Sequence, residues 1–438
     1  MDEIPAQVAA HEALRAAVRL HRTGQWDQAE AAYRELLERH PDYAGAWHYL
    51  GVLTHQRGAS ETGAAYIRRA LDLNPGDPAA WNNLGNIWRA GGLLQEAAGA
   101  YLAALKIDPL HAEAFSNLGV AFLQLGMPDQ ARPALVRAIE LQPDRVEAYL
   151  GLGLLDQVTE RWGEAVECYR RAIALEPRCA AAYRALWRIC VLAERLEEAR
   201  SVLEQWLLHD PDNAFARHLI AAQTGESVPD AASAEFIRML FDPFAASFDF
   251  VLRERLDYRA PELVAEAARH AMAGRGQGLQ VADLGCGTGL CGPLLKPLAG
   301  VLTGVDLSRN MLGKARGRDV YDRLVEGELT AFLAQSPASY DLLIAADTLV
   351  YFGNLQTFAE RALRALRPGG AAVFTVERAG EEQVEGYRLQ PHGRYTHRGD
   401  YLDRVLGGAG FLLSREAVYL RQECGVPVQG WLVVARRP

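Results

Sequence analysis

VADLGCGTGL, residues 281–290, decides how the second half of this chain is read. An apolar run ends in an acid, Asp283, and passes straight into three glycines, Gly285, Gly287 and Gly289. Glycines directly after a strand let the chain turn sharply and let a ligand touch bare backbone, while the helix that follows offers unpaired N–H groups. Ligands therefore sit at that strand end. Dinucleotide sites also use a glycine-rich turn, but they follow GxGxxG, whereas here the glycines alternate as GxGxG. The spacing favours another ligand.

Outward from this loop, beyond residue 278, short strands alternate with helices: LQVADLG, VLTGVDLS, DRLVEGEL, YDLLIAAD and AAVFTVE, then a closing hairpin from FLLSREAVYL to WLVVARR. That rhythm predicts a doubly wound parallel sheet with its site outside the carboxyl ends of the strands. Asp306 ends the second strand, where a carboxylate suits two ribose hydroxyls and excludes phosphate. Glu328, in VEGEL, is placed to accept from an adenine amine, with Leu329 and Met311 covering the ring. No GKS/T loop is present, so these residues describe an adenosine pocket without a phosphate site.

The first half reads differently, because a 34-residue period runs from about residue 10 to 212. Trp47, Trp81, Phe115, Tyr149 and Tyr183 recur with Leu50, Leu84, Leu118, Leu152 and Leu186 three residues on, which puts each pair on one helix face. Ala97, Ala131, Ala165 and Ala199 are small where two helices approach closely, and Pro41, Pro75, Pro109, Pro143, Pro177 and Pro211 stop a helix at a fixed phase. These residues resemble the tetratricopeptide (TPR) repeat family, with about six units. TPR domains that grip extended peptides carry an asparagine ladder along the groove, and Asn83 and Asn117 occupy one phase of neighbouring repeats. Equivalent positions hold Tyr49, Gly151 and Ala185, so the ladder has two rungs.

In the second half, VADLGCGTG, GVDLS, YDLLIAADTLVYFGNL and LRPGG resemble the signature blocks of class I S-adenosylmethionine-dependent methyltransferases. FDPFAASFDFVLRERLDYRAPEL, GRYTHRGDYLDRVLGGAGF and CGVPVQGWLVVARRP further resemble a bacterial group of such enzymes with TPR repeats at the N-terminus. The resemblance implies an all-α TPR solenoid over residues 10–224, a joint with lid helices over 225–277, and a Rossmann-like α/β domain over 278–438. That domain would hold a seven-stranded, mostly parallel sheet ending in an antiparallel hairpin. S-adenosylmethionine is the implied cofactor. Asp283, Gly285, Cys286, Gly287 and Gly289 would line its methionine half and Asp306 its ribose, with Leu307, Met311, Glu328, Leu329 and Ala345 completing the pocket. Phe244 and Phe248 fall in the segment that folds over the cofactor in this superfamily.

A sulfonium already activates its methyl group, so the enzyme must align a nucleophile and, where that nucleophile holds a proton, provide a base. His397, with Tyr395 beside it, is the expected base because its unperturbed pKa suits the task. Asp347, Tyr351 and Arg394 are expected to hold the acceptor, Arg394 by bidentate pairing to a carboxylate. No (D/N)PP(Y/F) follows LLIAAD, which disfavours adenine methylation, and no Pro-Cys nucleophile suggests cytosine chemistry. The leading expectation is a peptide or protein acceptor recruited by the TPR groove through Asn83 and Asn117. Alternatives are a small-metabolite acceptor, with the repeats used for assembly, and a cofactor-binding scaffold without catalysis.

Composition bounds the partners. The chain has 438 residues and a net charge of −9, of which residues 1–228 carry −8. An acidic chain repels phosphate backbones, so nucleic acid is not an expected partner. No apolar run approaches a membrane span, and the N-terminal segment lacks a secretion signal, so a cytoplasmic location is expected. Six scattered cysteines show no metal spacing, and no metal is expected.

Overall fold

The chain, seen in a computed structural model, is described over residues 3–245, 248–250, 252, 256–275, 278–423 and 425–438. It divides into two compact units, Met1–Val202 and Leu203–Pro438.

The first unit is built of helix pairs in tandem, from Glu3–Arg22 with Trp26–Arg39 to Ala180–Leu192 with the first half of the helix Leu196–His209, within which the unit ends. The 34-residue period is the period of its core. Ala97, Ala131, Ala165 and Ala199 are fully buried, as are Ile67, Tyr101 and Leu135 at a common phase of the second helices. Gly85 and Gly119 mark close approaches, since a Cβ at either would stand 2.5 Å from Tyr101 or Leu135 of the paired helix. The recurrent aromatics do more than fill space. Trp47 and Trp81 each donate their indole N–H to the carbonyl of the proline six residues earlier, at 2.8 and 3.0 Å, and the Tyr149 hydroxyl does the same at 3.1 Å. Each aromatic thus ties its helix to the end of the preceding repeat. Turns inside the pairs need a left-handed residue, supplied by Gly24, Gly58, Gly92 and Gly126 and then, at the same phase, by Glu160 and Glu194.

The second unit is the α/β sheet. Its strands are β1 Leu279–Leu284, β2 Ala299–Asp306, β3 Arg323–Glu326, β4 Tyr340–Ala345, β5 Leu366–Arg378, β6 Tyr387–Leu389, β7 Tyr395–His397, β8 Leu412–Glu423 and β9 Val426–Arg436. Five parallel strands run in the order β3-β2-β1-β4-β5, and β9 pairs antiparallel with β5 and with β8. These seven are the expected sheet with its closing hairpin. The structure adds β6 and β7, three residues each, which attach to the end of β5. Apolar side chains on both faces bury β1, β4 and β5, as a parallel sheet covered by helices requires.

The helix Ala214–Thr224, expected to cap the repeat array, belongs to this second unit. Phe215 packs on Phe236 with ring centroids 5.5 Å apart, and Ala221 and Ala222 pack on Leu389 and Tyr395. No helix of the described residues is long and apolar enough to cross a membrane.

Candidate functional site

A cavity of about 560 Å³ opens at the carboxyl ends of the parallel strands. The end of β1 forms its floor. Gly285, Gly287 and Gly289 adopt φ of 70, 54 and 84°, which only glycine takes without strain. A Cβ on Gly285 would collide with Thr348, whereas one on Gly287 would meet nothing nearer than the Phe248 ring at 3.9 Å. Backbone at Gly287 is therefore bare towards open space.

Asp306, at the end of β2, holds this loop in place: its carboxylate accepts from the N–H of Gly287 and of Ser308, both at 2.8 Å. Burial pushes its pKa up, and those backbone donors pull it back. Leu307, Met311, Glu328 and Leu329 continue the lining beside Cys286 and Asp306. The Glu328 carboxylate is turned towards the start of the helix Leu329–Ala334, where it accepts from Thr330 N and Ala331 N at 2.8 and 2.7 Å. The expected adenine contact through that carboxylate thus competes with a helix cap. Burial pushes the Cys286 thiol well above its usual pKa, so it fills space and does not react.

Three residues expected against the ligand stand behind the wall. Asp283 is 1% exposed and accepts from the Tyr321 hydroxyl at 2.6 Å. Burial raises its pKa to about 7, the Tyr321 hydrogen bond lowers it and the Asp306 charge adds to the rise. Gly289 is small because a Cβ would meet Tyr321 at 2.8 Å, and Ala345 is buried in the sheet core. None of the three lines the cavity. Asp283 and Gly289 brace the loop through Tyr321.

The opposite wall carries Asp347, Tyr351 and Arg394, together with Tyr258, Arg421 and Glu423. Asp347 has φ of 55°, uncommon for a residue with a side chain and typical of functional strain. Its carboxylate accepts from Arg421 Nη1 at 2.8 and 2.6 Å. Arg394 donates to Glu377 at 2.6 Å and to both oxygens of Glu423 at 2.8 and 2.6 Å. Burial alone would raise the pKa of Glu423, but Arg394 and Arg421 hold it down at about 2. Burial outweighs Arg421 at Asp347, whose pKa is raised. Among the described residues of the lining, Asp230, Asp306, Glu328, Asp347 and Glu423 face two cations, Arg394 and Arg421.

His397 and Tyr395, expected as the catalytic pair, require correction. Both are wholly buried outside the cavity lining. His397 Nε2 lies 3.1 Å from the Gly353 carbonyl oxygen, and burial lowers its pKa to about 4. The Tyr395 hydroxyl donates to the Pro229 carbonyl. These side chains anchor β7 to the loop after β4 and to the segment before the helix Ala234–Phe241. A histidine in a polar-looking loop became a core residue because the β6–β7 ribbon folds it inward.

Over the cavity lie Ile237, Leu240, Phe241 and Phe248. Phe241 meets the rings of Phe248 and Tyr351 edge-on at 6.0 and 5.7 Å. The side chain of Phe244 lies outside the described residues.

In the repeat unit, Asn83 and Asn117 are engaged with neighbouring repeats. Asn83 Nδ2 lies 2.8 Å from His48 Nε2, and Asn117 Nδ2 donates to Asn82 Oδ1 at 3.0 Å. Each amide reaches one repeat back to a buried polar residue at a common phase, His48 and Asn82. The next residue of that row is Ser116, 1% exposed, whose Oγ has no partner among the described residues. Gly151 stands where the third amide would be. The two amides expected to form a peptide ladder thus each spend one contact on the preceding repeat.

Arg421 was not foreseen from sequence. A charged residue directly after the apolar run AVYL was its only signal, and nothing in strand alternation says which way it points.

Comparison with known proteins agrees with this architecture. Residues 282–374 match a methyltransferase domain, and residues 14–78, 60–112, 112–145 and 159–222 match tetratricopeptide repeats. Over 134 residues the chain is 30% identical to malonyl-[acyl-carrier protein] O-methyltransferase of Enterobacter lignolyticus, covering 30% of this chain and 53% of that protein. It is 27% identical over 177 residues to ubiquinone biosynthesis O-methyltransferase of a Chelativorans species, covering 36% and 69%. The chain therefore spans about half the length of the first relative. A solved structure of the Pseudomonas aeruginosa pilF product is similar at 21% identity with a TM-score of 0.42, covering 47% of this chain and 94% of that one.

Proposed function

Because this chain joins tetratricopeptide repeats to a methyltransferase domain, we propose that the cavity of its second unit binds S-adenosylmethionine and methylates an oxygen of a small acceptor. The observation that carries the reading is the single lining shared by two dissimilar walls. On one side stand bare glycine backbone, Asp306 and the apolar Leu307, Met311 and Leu329; on the other stand Asp347, Tyr351 and Arg394. The residues fit the cofactor. Gly287 leaves a space that a Cβ would fill, Asp306 offers oxygens for ribose hydroxyls, and among the described residues five carboxylates against two guanidinium groups favour a cation over a phosphate. When bound, the cofactor supplies a methyl group activated by its sulfonium charge.

In this reading Gly285 and Gly287 receive the methionine half, Asp306 the ribose, and Met311, Leu329 and the main chain near Glu328 the adenine. Asp347 and Tyr351 orient the acceptor, and the aromatic cover of Phe241 and Phe248 excludes water. Oxygen as the methylated atom is supported by the names of both curated relatives. A small acceptor is favoured over a groove-bound peptide because Asn83 and Asn117 each spend an amide donor inside the array and the row ends at Gly151. Protein assembly is then the role of the repeats.

Calorimetry of the full chain with S-adenosylhomocysteine tests the reading. One molecule should bind per chain, and Gly287→Ala should weaken it by about tenfold or more, because the new methyl takes the ligand's place at the cost of roughly 1.4 kcal/mol or more. No binding to well-folded wild type would sink the proposal.

A further inference from the structure

Arg421 is 2% exposed, yet it is one of the largest fully buried side chains in the protein. Its position comes from an irregularity in β8. Tyr419 pairs with Gln429 and Arg421 with Val428, so Leu420 is an extra residue in the ladder. In a regular strand, Leu420 and Arg421 would face opposite sides; a bulge re-aims one of them, and here both are buried. Leu256 and Arg259 pin this point from outside, through Gln422 N donating to Leu256 O at 2.6 Å and Arg259 N to Leu420 O at 2.9 Å.

Every nitrogen of the guanidinium is then engaged: Nε with Glu423, Nη1 with Asp347 and Nη2 with Glu377. Glu377 and Glu423 each lie between two guanidinium groups, those of Arg394 and Arg421. Asp347 has Arg421 alone among the described residues, a single nitrogen shared by two oxygens. It thus keeps acceptor capacity and, unlike Glu377, it lines the cavity. Among the described residues the cluster sets three carboxylates against two guanidinium groups, so a further anion would add repulsion to a site that is already net negative.

We propose that Asp347, fixed by Arg421, determines acceptor class: the cavity takes a molecule with an apolar or aromatic body and a hydrogen-bond-donating hydroxyl, and rejects carboxylate acceptors. This rests on the methyl-transfer reading of the same cavity. The apolar body is accommodated by Phe241, Leu252, Tyr258 and Pro261. The expected bidentate pairing of Arg394 with a substrate carboxylate meets competition, since Glu377 and Glu423 already accept from its Nε and Nη2. In this the chain departs from the relative named for a malonyl acceptor.

The test compares para-ethylphenol with para-ethylbenzoate, equal in ring and tail, as ligands of the full chain near neutral pH by ligand-detected NMR, with and without saturating S-adenosylhomocysteine. The phenol should bind at least about tenfold tighter, the scale of one hydrogen bond to a charged group. Asp347→Asn, whose asparagine tolerates the left-handed backbone, should shrink that preference to about threefold or less while leaving S-adenosylhomocysteine binding intact. Equal binding, tighter binding of the benzoate, or binding of neither overturns the proposal. Failure of S-adenosylhomocysteine to bind counts against the cofactor reading instead, so the two failures are distinct.

Discussion

Replacing Glu160 and Glu194 by glycine should stabilise the repeat unit. Both sit at the turn between paired helices with φ of 60 and 58°, where the earlier repeats carry Gly24, Gly58, Gly92 and Gly126 at 73 to 93°. For an L-residue the left-handed conformation costs about 1–2 kcal/mol. Glycine loses about 0.5–1 kcal/mol more chain entropy on folding than alanine, so the net gain is about 0.5–1 kcal/mol per site. A Cβ at Gly92 or Gly126 would meet nothing within 4 Å, so the reverse changes, Gly92→Ala and Gly126→Ala, report the dihedral cost without a clash. In an array whose stability sums over neighbours, the double Glu→Gly chain should gain about 1–2 kcal/mol, or roughly 2–8 °C in the melting of a unit this size. Urea and thermal unfolding of the full chain, followed by far-ultraviolet circular dichroism, measure it. A double glycine variant no more stable than wild type, alongside costly Gly92→Ala and Gly126→Ala, would refute the assignment of strain to the two glutamates.

Two further outcomes follow from buried polar groups. Ser116→Ala should be neutral or stabilising by up to about 1 kcal/mol, because it removes an unpartnered hydroxyl, whereas Asn82→Ala should cost about 1–3 kcal/mol by stranding Asn117 and Glu113; urea midpoints compare them. Asp283 titrates near 7 in the fold against 3.8 in the open chain, so the folded state holds its proton more tightly. Its contribution is complete below about pH 4, falls as pH rises and is gone above about 7, a loss on the order of 4 kcal/mol across that window. In Asp283→Asn that slope should disappear from the unfolding transition that S-adenosylhomocysteine shifts; equal slopes in the two proteins would contradict the buried, protonated state.

Sequence alone determined what depends on local chemistry and periodicity. A 34-residue recurrence of aromatic, small residue and proline specifies one helix pair per period, because each feature acts within its own repeat or on the next. Likewise VADLGCGTG and GVDLS specify a strand, a tight loop and an acid at the next strand end, and Gly285, Gly287 and Asp306 meet at the cavity floor as that order demands. Residue type did not determine facing. Asp283 turned from the cavity to Tyr321, Glu328 capped a helix, and Asn83 and Asn117 bonded to the preceding repeat, because each polar group takes the nearest partner that burial leaves it. Only tertiary structure decided the wall opposite the glycine loop. His397 was drawn into the core by a short added ribbon, and Arg421 was turned inward by one extra residue in β8. Both outcomes depend on strand register between segments far apart in the chain, and a shift of a single residue reverses which face a side chain occupies.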